Sequence, residues 1–158
     1  MKKLLFVILF TCSASLGFGQ KHLISYEDIK YLLHNNLQKA DTFLMAKGYI
    51  LAVKNTKTKN REYTLPIKGG THITVSLRSD GKKLFMELET NAIEQYDLIN
   101  NSISQYIHTE GSIGDVQTYT IKDFCNIYIT VNESVPYDPM KKDYIMQIVP
   151  DKSVTAYD

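Results

Sequence analysis

Apolar residues recur at helical spacing in two stretches of the chain. The first stretch follows Ser25, a residue type that caps helices, and ends at Gly48, which supplies a left-handed stop. Its pattern predicts a helix over residues 26–47, loosened at residues 34–36, where the sequence His-Asn-Asn interrupts the apolar spacing. The second stretch predicts a helix over residues 91–108.

Seven shorter runs have the composition of strands. The run over residues 71–78 also alternates between apolar and polar residues, which is the pattern of a strand with one buried face. The turn sequence Ser-Asp-Gly-Lys at residues 79–82 predicts that two neighbouring runs form a hairpin. The runs cover residues 49–54, 61–67, 71–78, 84–89, 116–121, 125–132 and 143–149.

Side chains on a strand point alternately to opposite faces, so the alternation divides the strand residues into two sets. The apolar set is expected to face the helices: Tyr63, Leu65, Ile73, Val75, Leu77, Leu84, Met86, Leu88, Ile121, Ile127, Ile129, Val131, Met146 and Ile148. The other set is expected to face solvent: Thr64, His72, Thr74, Ser76, Arg78, Phe85, Glu87, Glu89, Thr118, Thr120, Tyr128, Thr130, Asn132, Ile145 and Gln147.

Two pairs of short segments are related by one common offset. Residues 63–65 (Tyr-Thr-Leu) correspond to residues 119–121 (Tyr-Thr-Ile), and residues 73–75 (Ile-Thr-Val) correspond to residues 129–131 (Ile-Thr-Val). The order of helix, glycine and strands also occurs twice. Together these features predict an internal duplication.

The patterns predict an α+β fold of two tandem helix-plus-antiparallel-sheet units, α-β-β-β-β twice with the second copy shortened. The helices should pack on one face of the sheet, because neither layer can bury its apolar side alone. The pseudo-repeats cover about residues 25–90 and 91–150. They lie in a single domain, residues 20–158, that ends in a polar tail over residues 151–158.

The N-terminal segment has the pattern of a secretory signal peptide. Two lysines precede an apolar run over residues 4–10, and small residues end at Gly19. This run is shorter than the roughly 20 apolar residues that a membrane span requires. We therefore expect cleavage after Gly19, removal of residues 1–19, and a periplasmic or secreted protein. The alternative is a lipoprotein acylated at Cys12.

Charge and cysteine content narrow the classes of partner. The chain carries 18 Lys and Arg against 17 Asp and Glu, a net charge of +1 that becomes −1 without the two lysines of the leader. This balance gives no reason to expect nucleic acid or an anionic membrane as a partner. Cys125 would be the remaining cysteine, so packing rather than a disulfide must hold the fold, and its thiol should be buried.

The sequence contains no arrangement that carries a named catalytic or metal chemistry. None of the four histidines has another histidine or a cysteine at metal-ligand spacing, and no serine lies in a nucleophile elbow. Glu87 and Glu89 share one strand face and could form an acid–base pair, but solvated surface charges explain them better. We therefore expect no catalytic residue, no metal ligand and no cofactor.

The expected solvent face is mostly polar, yet it includes four large side chains suited to contact: His72, Phe85, Tyr128 and Ile145. Apolar and aromatic groups on an uncovered face are typical of a partner surface. The sequence therefore favours an exported, non-catalytic binding module that contacts a protein partner through this face. Two alternatives stay open: a carrier of a small apolar ligand between the helix and sheet layers, and an unrecognised envelope hydrolase.

Overall fold

The computed structural model of the protein describes residues 22–107, 116–133 and 141–156. Over these residues the chain forms three α-helices, a short 3₁₀-helix and seven strands. The helices are α1 (Tyr26–Leu33), α2 (Leu37–Ala46) and α3 (Ile93–Ile103), and α3 continues into the 3₁₀-helix Ser104–Tyr106. The strands are β1 (Ile50–Asn55), β2 (Asn60–Thr64), β3 (Ile73–Asp80), β4 (Lys83–Thr90), β5 (Val116–Ile121), β6 (Cys125–Glu133) and β7 (Lys142–Pro150).

The seven strands form one antiparallel sheet in the order β1-β2-β3-β4-β7-β6-β5. The predicted α+β fold, with helices packed against the sheet, is confirmed. The predicted duplication is not confirmed: among the described residues, the part before α3 has two helices and four strands, whereas the part from α3 onward has one α-helix and three strands. The signal-peptide prediction for residues 1–19 lies outside the described residues.

The first predicted helix is two helices. Ser25 begins α1 with a capping box, in which the Ser25 hydroxyl accepts from the Asp28 amide and the Asp28 carboxylate accepts from the Ser25 amide. The Asn36 side chain then accepts from the Lys39 amide at 3.0 Å and starts α2. The helix predicted over residues 26–47 is therefore divided at residues 34–36, the stretch predicted to be loosened, because an asparagine that caps a new helix interrupts the old one.

The alternation of buried and exposed positions follows the prediction closely, with three exceptions. Leu65 and Val131 were expected to face the helices and are only half-buried, since Leu65 lies beyond the end of β2 and Val131 lies toward the end of β6. Thr118 was expected to face solvent and is buried beside its cross-strand partner Tyr128. The remaining inward residues join the apolar side chains of all three helices in one core.

A buried glutamine attaches the N-terminal segment to α3. The Gln95 side chain is fully buried; its oxygen accepts from the Ile24 amide at 2.8 Å, and its nitrogen donates to the Ile24 carbonyl at 2.8 Å. Nearby, the Thr90 hydroxyl donates to the His72 carbonyl at 2.7 Å and accepts from the Ala92 amide at 2.9 Å. These bonds satisfy main-chain groups that would otherwise be buried and unpaired.

The C-terminal segment crosses the turns at one end of the sheet. The Asp151 amide donates to the Phe124 carbonyl, and the Ala156 amide donates to the Lys82 carbonyl, both at 2.7 Å. Between them Val154 is buried in the core. Residues 151–156 therefore tie the β3–β4 turn to the β5–β6 turn.

Candidate functional site

The outer face of the sheet, which we define as the face opposite the helices, is built of cross-strand rows. Antiparallel pairing places directly opposed residues side by side on one face. One row crosses all seven strands: Val53, Glu62, Ser76, Glu87, Gln147, Tyr128 and Thr118. A second row consists of Asn55, Asn60, Arg78 and Phe85. Val149 extends this row onto β7, because the pairing of Met86 with Ile148 places Val149 level with Phe85.

A groove of about 500 Å³ lies between these two rows, from β1 to β7. Its lining residues are Val53, Asn55, Asn60, Arg61, Glu62, Ser76, Leu77, Arg78, Phe85, Met86, Glu87, Gln147, Ile148 and Val149. Arg61, Leu77, Met86 and Ile148 occupy the strand positions between the rows, and their side chains point to the helix face. Main chain therefore forms much of the groove floor, and the two rows form its walls.

The two walls differ in chemistry. The first carries the carboxylates of Glu62 and Glu87, and the Gln147 side chain donates to Glu87 Oε2 at 3.0 Å. The second carries amides and an aromatic ring: the guanidinium carbon of Arg78 lies 5.0 Å from the centroid of the half-buried Phe85 ring. A cation in this position is attracted to the ring face by about 0.5–1 kcal/mol at an exposed site.

The structure places the four predicted site residues on the outer face, each half-buried, but of the four only Tyr128 and Ile145 are neighbours. Phe85 lies in the groove wall. Tyr128 and Ile145 are diagonal neighbours on β6 and β7, because Tyr128 pairs with Gln147 and Ile145 pairs with Thr130. The strand β7 separates Phe85 from Tyr128.

His72 lies at the far end of the face, just before β3, and the hydrogen bonds that hold it there are made by its main chain. Its amide donates to the Asn91 side chain at 2.9 Å, and Asn91 in turn donates to the Gly70 carbonyl at 3.0 Å. The His72 Nε2 atom is 4.0 Å from Asp143 Oδ1, which is too long for a hydrogen bond. These contacts fix the chain before β3 and leave the imidazole part-exposed.

The groove is a feature that sequence reasoning missed. The turn sequence at residues 79–82 predicted that β3 and β4 are neighbours, but a four-residue turn over these positions would pair Arg78 with Lys83. In the structure Asp80 pairs with Lys83, and Arg78 therefore lies opposite Phe85. The pairing of Glu87 with Gln147 had no sequence signal, because it depends on β4 and β7 meeting across the sheet. The alternation of side chains assigns residues to the outer face, but it does not show which of them become neighbours in a wall of the groove.

The described residues show few features of a catalytic centre. They contain no group of three or more histidine, cysteine, aspartate or glutamate side chains placed to hold a metal ion. Cys125 is buried as predicted, and burial raises the pKa of its thiol from 9.0 to about 12, which suppresses the reactive thiolate. Glu87 and Glu89 do not contact a common partner: Glu87 accepts a hydrogen bond from Gln147, whereas Glu89 is exposed beside Ile145.

A second cavity of about 320 Å³ lies at the end of the sheet where the C-terminal segment meets the β3–β4 turn. Its lining residues are Asn36, Ser79, Gly81, Lys82, Leu84, Thr155 and Ala156. Its walls are mixed polar and apolar, and its lining residues all lie outside the helices. Neither cavity therefore occupies the space between the layers that an apolar ligand carrier would use.

No protein-family model, curated protein or solved structure matches this chain. Within the described residues, no helix is long and apolar enough to cross a membrane. The class that can be stated is therefore structural: an α+β protein whose antiparallel sheet carries helices on one face and a groove on the other.

Proposed function

We propose that this chain is an exported, non-catalytic binding protein that contacts a protein partner through the outer face of its sheet. The observation that carries the proposal is that the described helices all contribute to a core on the other face. The outer face keeps Phe85, Tyr128 and Ile145 only half-buried. Aromatic and apolar groups on such a surface gain most when a partner removes them from water.

The size of this face indicates the kind of interface. Six strand spacings of about 4.8 Å and strands of about five to nine residues give the outer face an area of roughly 600 Å². A standard interface buries about 800 Å² on each partner, and weaker, transient complexes bury less. The proposed complex is therefore of the transient class, unless the partner also reaches the turns at the edges.

The two alternative functions have less support. A carrier needs an enclosed apolar cavity, and the space between helices and sheet is filled by fully buried side chains such as Leu33, Leu44 and Ile99. A hydrolase needs an accessible nucleophile or an acid–base pair held by partners. The Cys125 thiol is buried, and Glu87 accepts from the Gln147 amide rather than from a second titratable group.

Export is part of the proposal and rests on the pattern of residues 1–19. N-terminal sequencing of the protein recovered from the envelope or the medium of its own cells tests it. A terminus at Gln20 is expected. An intact Met1 would contradict export by this route, and an acylated Cys12 would replace it with lipid anchoring.

The partner surface is tested by removing its aromatic groups. We expect Phe85→Ala with Tyr128→Ala to reduce recovery of the partner from a native envelope extract at least about tenfold, because aromatic anchors dominate interface energy. The partner is identified by mass spectrometry as a protein that is recovered with the unchanged chain and absent when the chain is omitted.

The matched control removes exposed apolar groups from the helices. Tyr31 and Met45 are 42% and 53% exposed on α1 and α2, so Tyr31→Ala with Met45→Ala makes a similar change away from the sheet face. This control should retain the partner. If both double variants retain it equally, the outer face is not the contact surface and the proposal fails.

A further inference from the structure

The groove on the outer face has the length of a short extended chain. It runs across five strands, β1 to β4 and then β7, so four spacings of about 4.8 Å give it a length of about 19 Å. An extended peptide advances about 3.3 Å per residue, so five or six residues span this distance. A linear segment therefore fits the groove better than a compact ligand does.

The charges in the groove favour a cationic occupant. The wall residues Glu62 and Glu87 are half-buried, and neither forms an ion pair within the described part of the chain. The guanidinium of Arg78 lies over Phe85 in the opposite wall. Arg61 also lines the groove, but its guanidinium is paired with Asp41 on the helix side of the sheet. Two carboxylates without an ion pair therefore face the single guanidinium of Arg78, and the acidic wall lacks positive charge.

We infer that the groove binds an extended, basic segment of the partner protein; this inference rests on the proposed function and specifies the partner's chemistry. Glu62 and Glu87 lie in one row two strands apart, which is about 10 Å. Lysine or arginine side chains two or three residues apart in an extended segment reach both carboxylates. Phe85 and Val149 receive an apolar side chain between or beside them.

Two other linear ligands fit less well. A neutral glycan is usually held by an open aromatic face, and Arg78 already covers the face of Phe85. An acidic peptide would place its carboxylates against Glu62 and Glu87, and like charges in a half-buried groove repel one another. Both ligands serve as comparison probes.

The test measures binding of defined probes to the full chain by fluorescence anisotropy. The basic probe is a fluorescein-labelled hexapeptide that alternates lysine and valine, the acidic probe replaces lysine with glutamate, and the neutral probe is a labelled glucose hexasaccharide. The basic probe should bind in low salt and weaken as salt rises, because its contacts with the groove are ionic. The two other probes should bind at least about tenfold more weakly.

The variant Glu62→Gln with Glu87→Gln should weaken binding of the basic probe at least about tenfold. The matched control is Glu89→Gln with Glu133→Gln, which changes the net charge equally at exposed positions that do not line the groove. The control should bind the basic probe within about twofold of the unchanged protein. Thermal unfolding of each variant confirms that it is folded at the temperature of the assay.

Three results would overturn the inference: no binding of the basic probe at millimolar concentration, equal weakening by both double variants, or preference for either comparison probe. The failure of this inference is distinct from the failure of the proposed function. If Phe85→Ala with Tyr128→Ala still releases the partner, the outer face remains the contact surface and the groove has a different occupant.

Discussion

We expect Gln95→Leu to lower the free energy of unfolding by about 3 kcal/mol. Leucine has a similar volume, so the change removes two hydrogen bonds without leaving a large cavity. It strips the partners from the amide and the carbonyl of Ile24, both of which remain buried beside α3. Each unpaired buried main-chain group costs about 1–3 kcal/mol, and denaturant unfolding measures the sum.

The control for this prediction is Gln38→Leu, the same substitution at an exposed position of α2. It should change the free energy of unfolding by less than about 0.5 kcal/mol. If Gln95→Leu lost less than about 1 kcal/mol, the Ile24 main chain would have to find other partners, and the attachment of the N-terminal segment through Gln95 would be refuted.

Asp41→Ala should lower the free energy of unfolding by about 3 kcal/mol. The Asp41 carboxylate on α2 accepts from the Tyr63 hydroxyl and forms an ion pair with Arg61, whose Nη1 also donates to the Leu37 carbonyl at 3.2 Å. The side chains of the ion pair are only 16% and 18% exposed, so removing the carboxylate strands a charge and a hydroxyl near the core.

Glu27→Ala provides the comparison for this ion pair. Glu27 pairs with Lys30 at 2.8 Å, but the two side chains are 76% and 41% exposed, so water screens the interaction. Glu27→Ala should lower the free energy of unfolding by less than about 0.5 kcal/mol in the same denaturant experiment. Equal losses for Asp41→Ala and Glu27→Ala would contradict the special role of the β2–α2 contact.

These two stability sites lie on the helix side of the sheet, whereas the groove lies on the outer side. The variant Gln95→Leu should therefore bind the basic hexapeptide normally below its unfolding temperature. Variants at Glu62 and Glu87 should change binding with little change in stability, since both carboxylates are outside the core and unpaired by cations within the described residues. The division of the sheet into two faces separates the forces that hold the fold from those proposed to hold a partner.

Residues close together in sequence determined most of the local structure. The alternation of side chains assigned the buried face of β3, β4, β6 and β7, because a strand places every second residue on the same side. The cap of α1 was readable from Ser25 and its acidic neighbours. The break before α2 was signalled only as a loosened stretch, since the sequence does not show whether Asn36 caps a new helix or lies exposed on a continuing one.

Contacts between distant residues were decided only by the tertiary structure. The meeting of β4 with β7 sets Glu87 beside Gln147 and completes the groove, and no turn connects these strands to fix their register. The same holds for Gln95, whose partner Ile24 is 71 residues away. The sequence by itself determined which side chains share a face. The fold decided which of them are neighbours, because pairing between remote strands depends on the packing of the whole core.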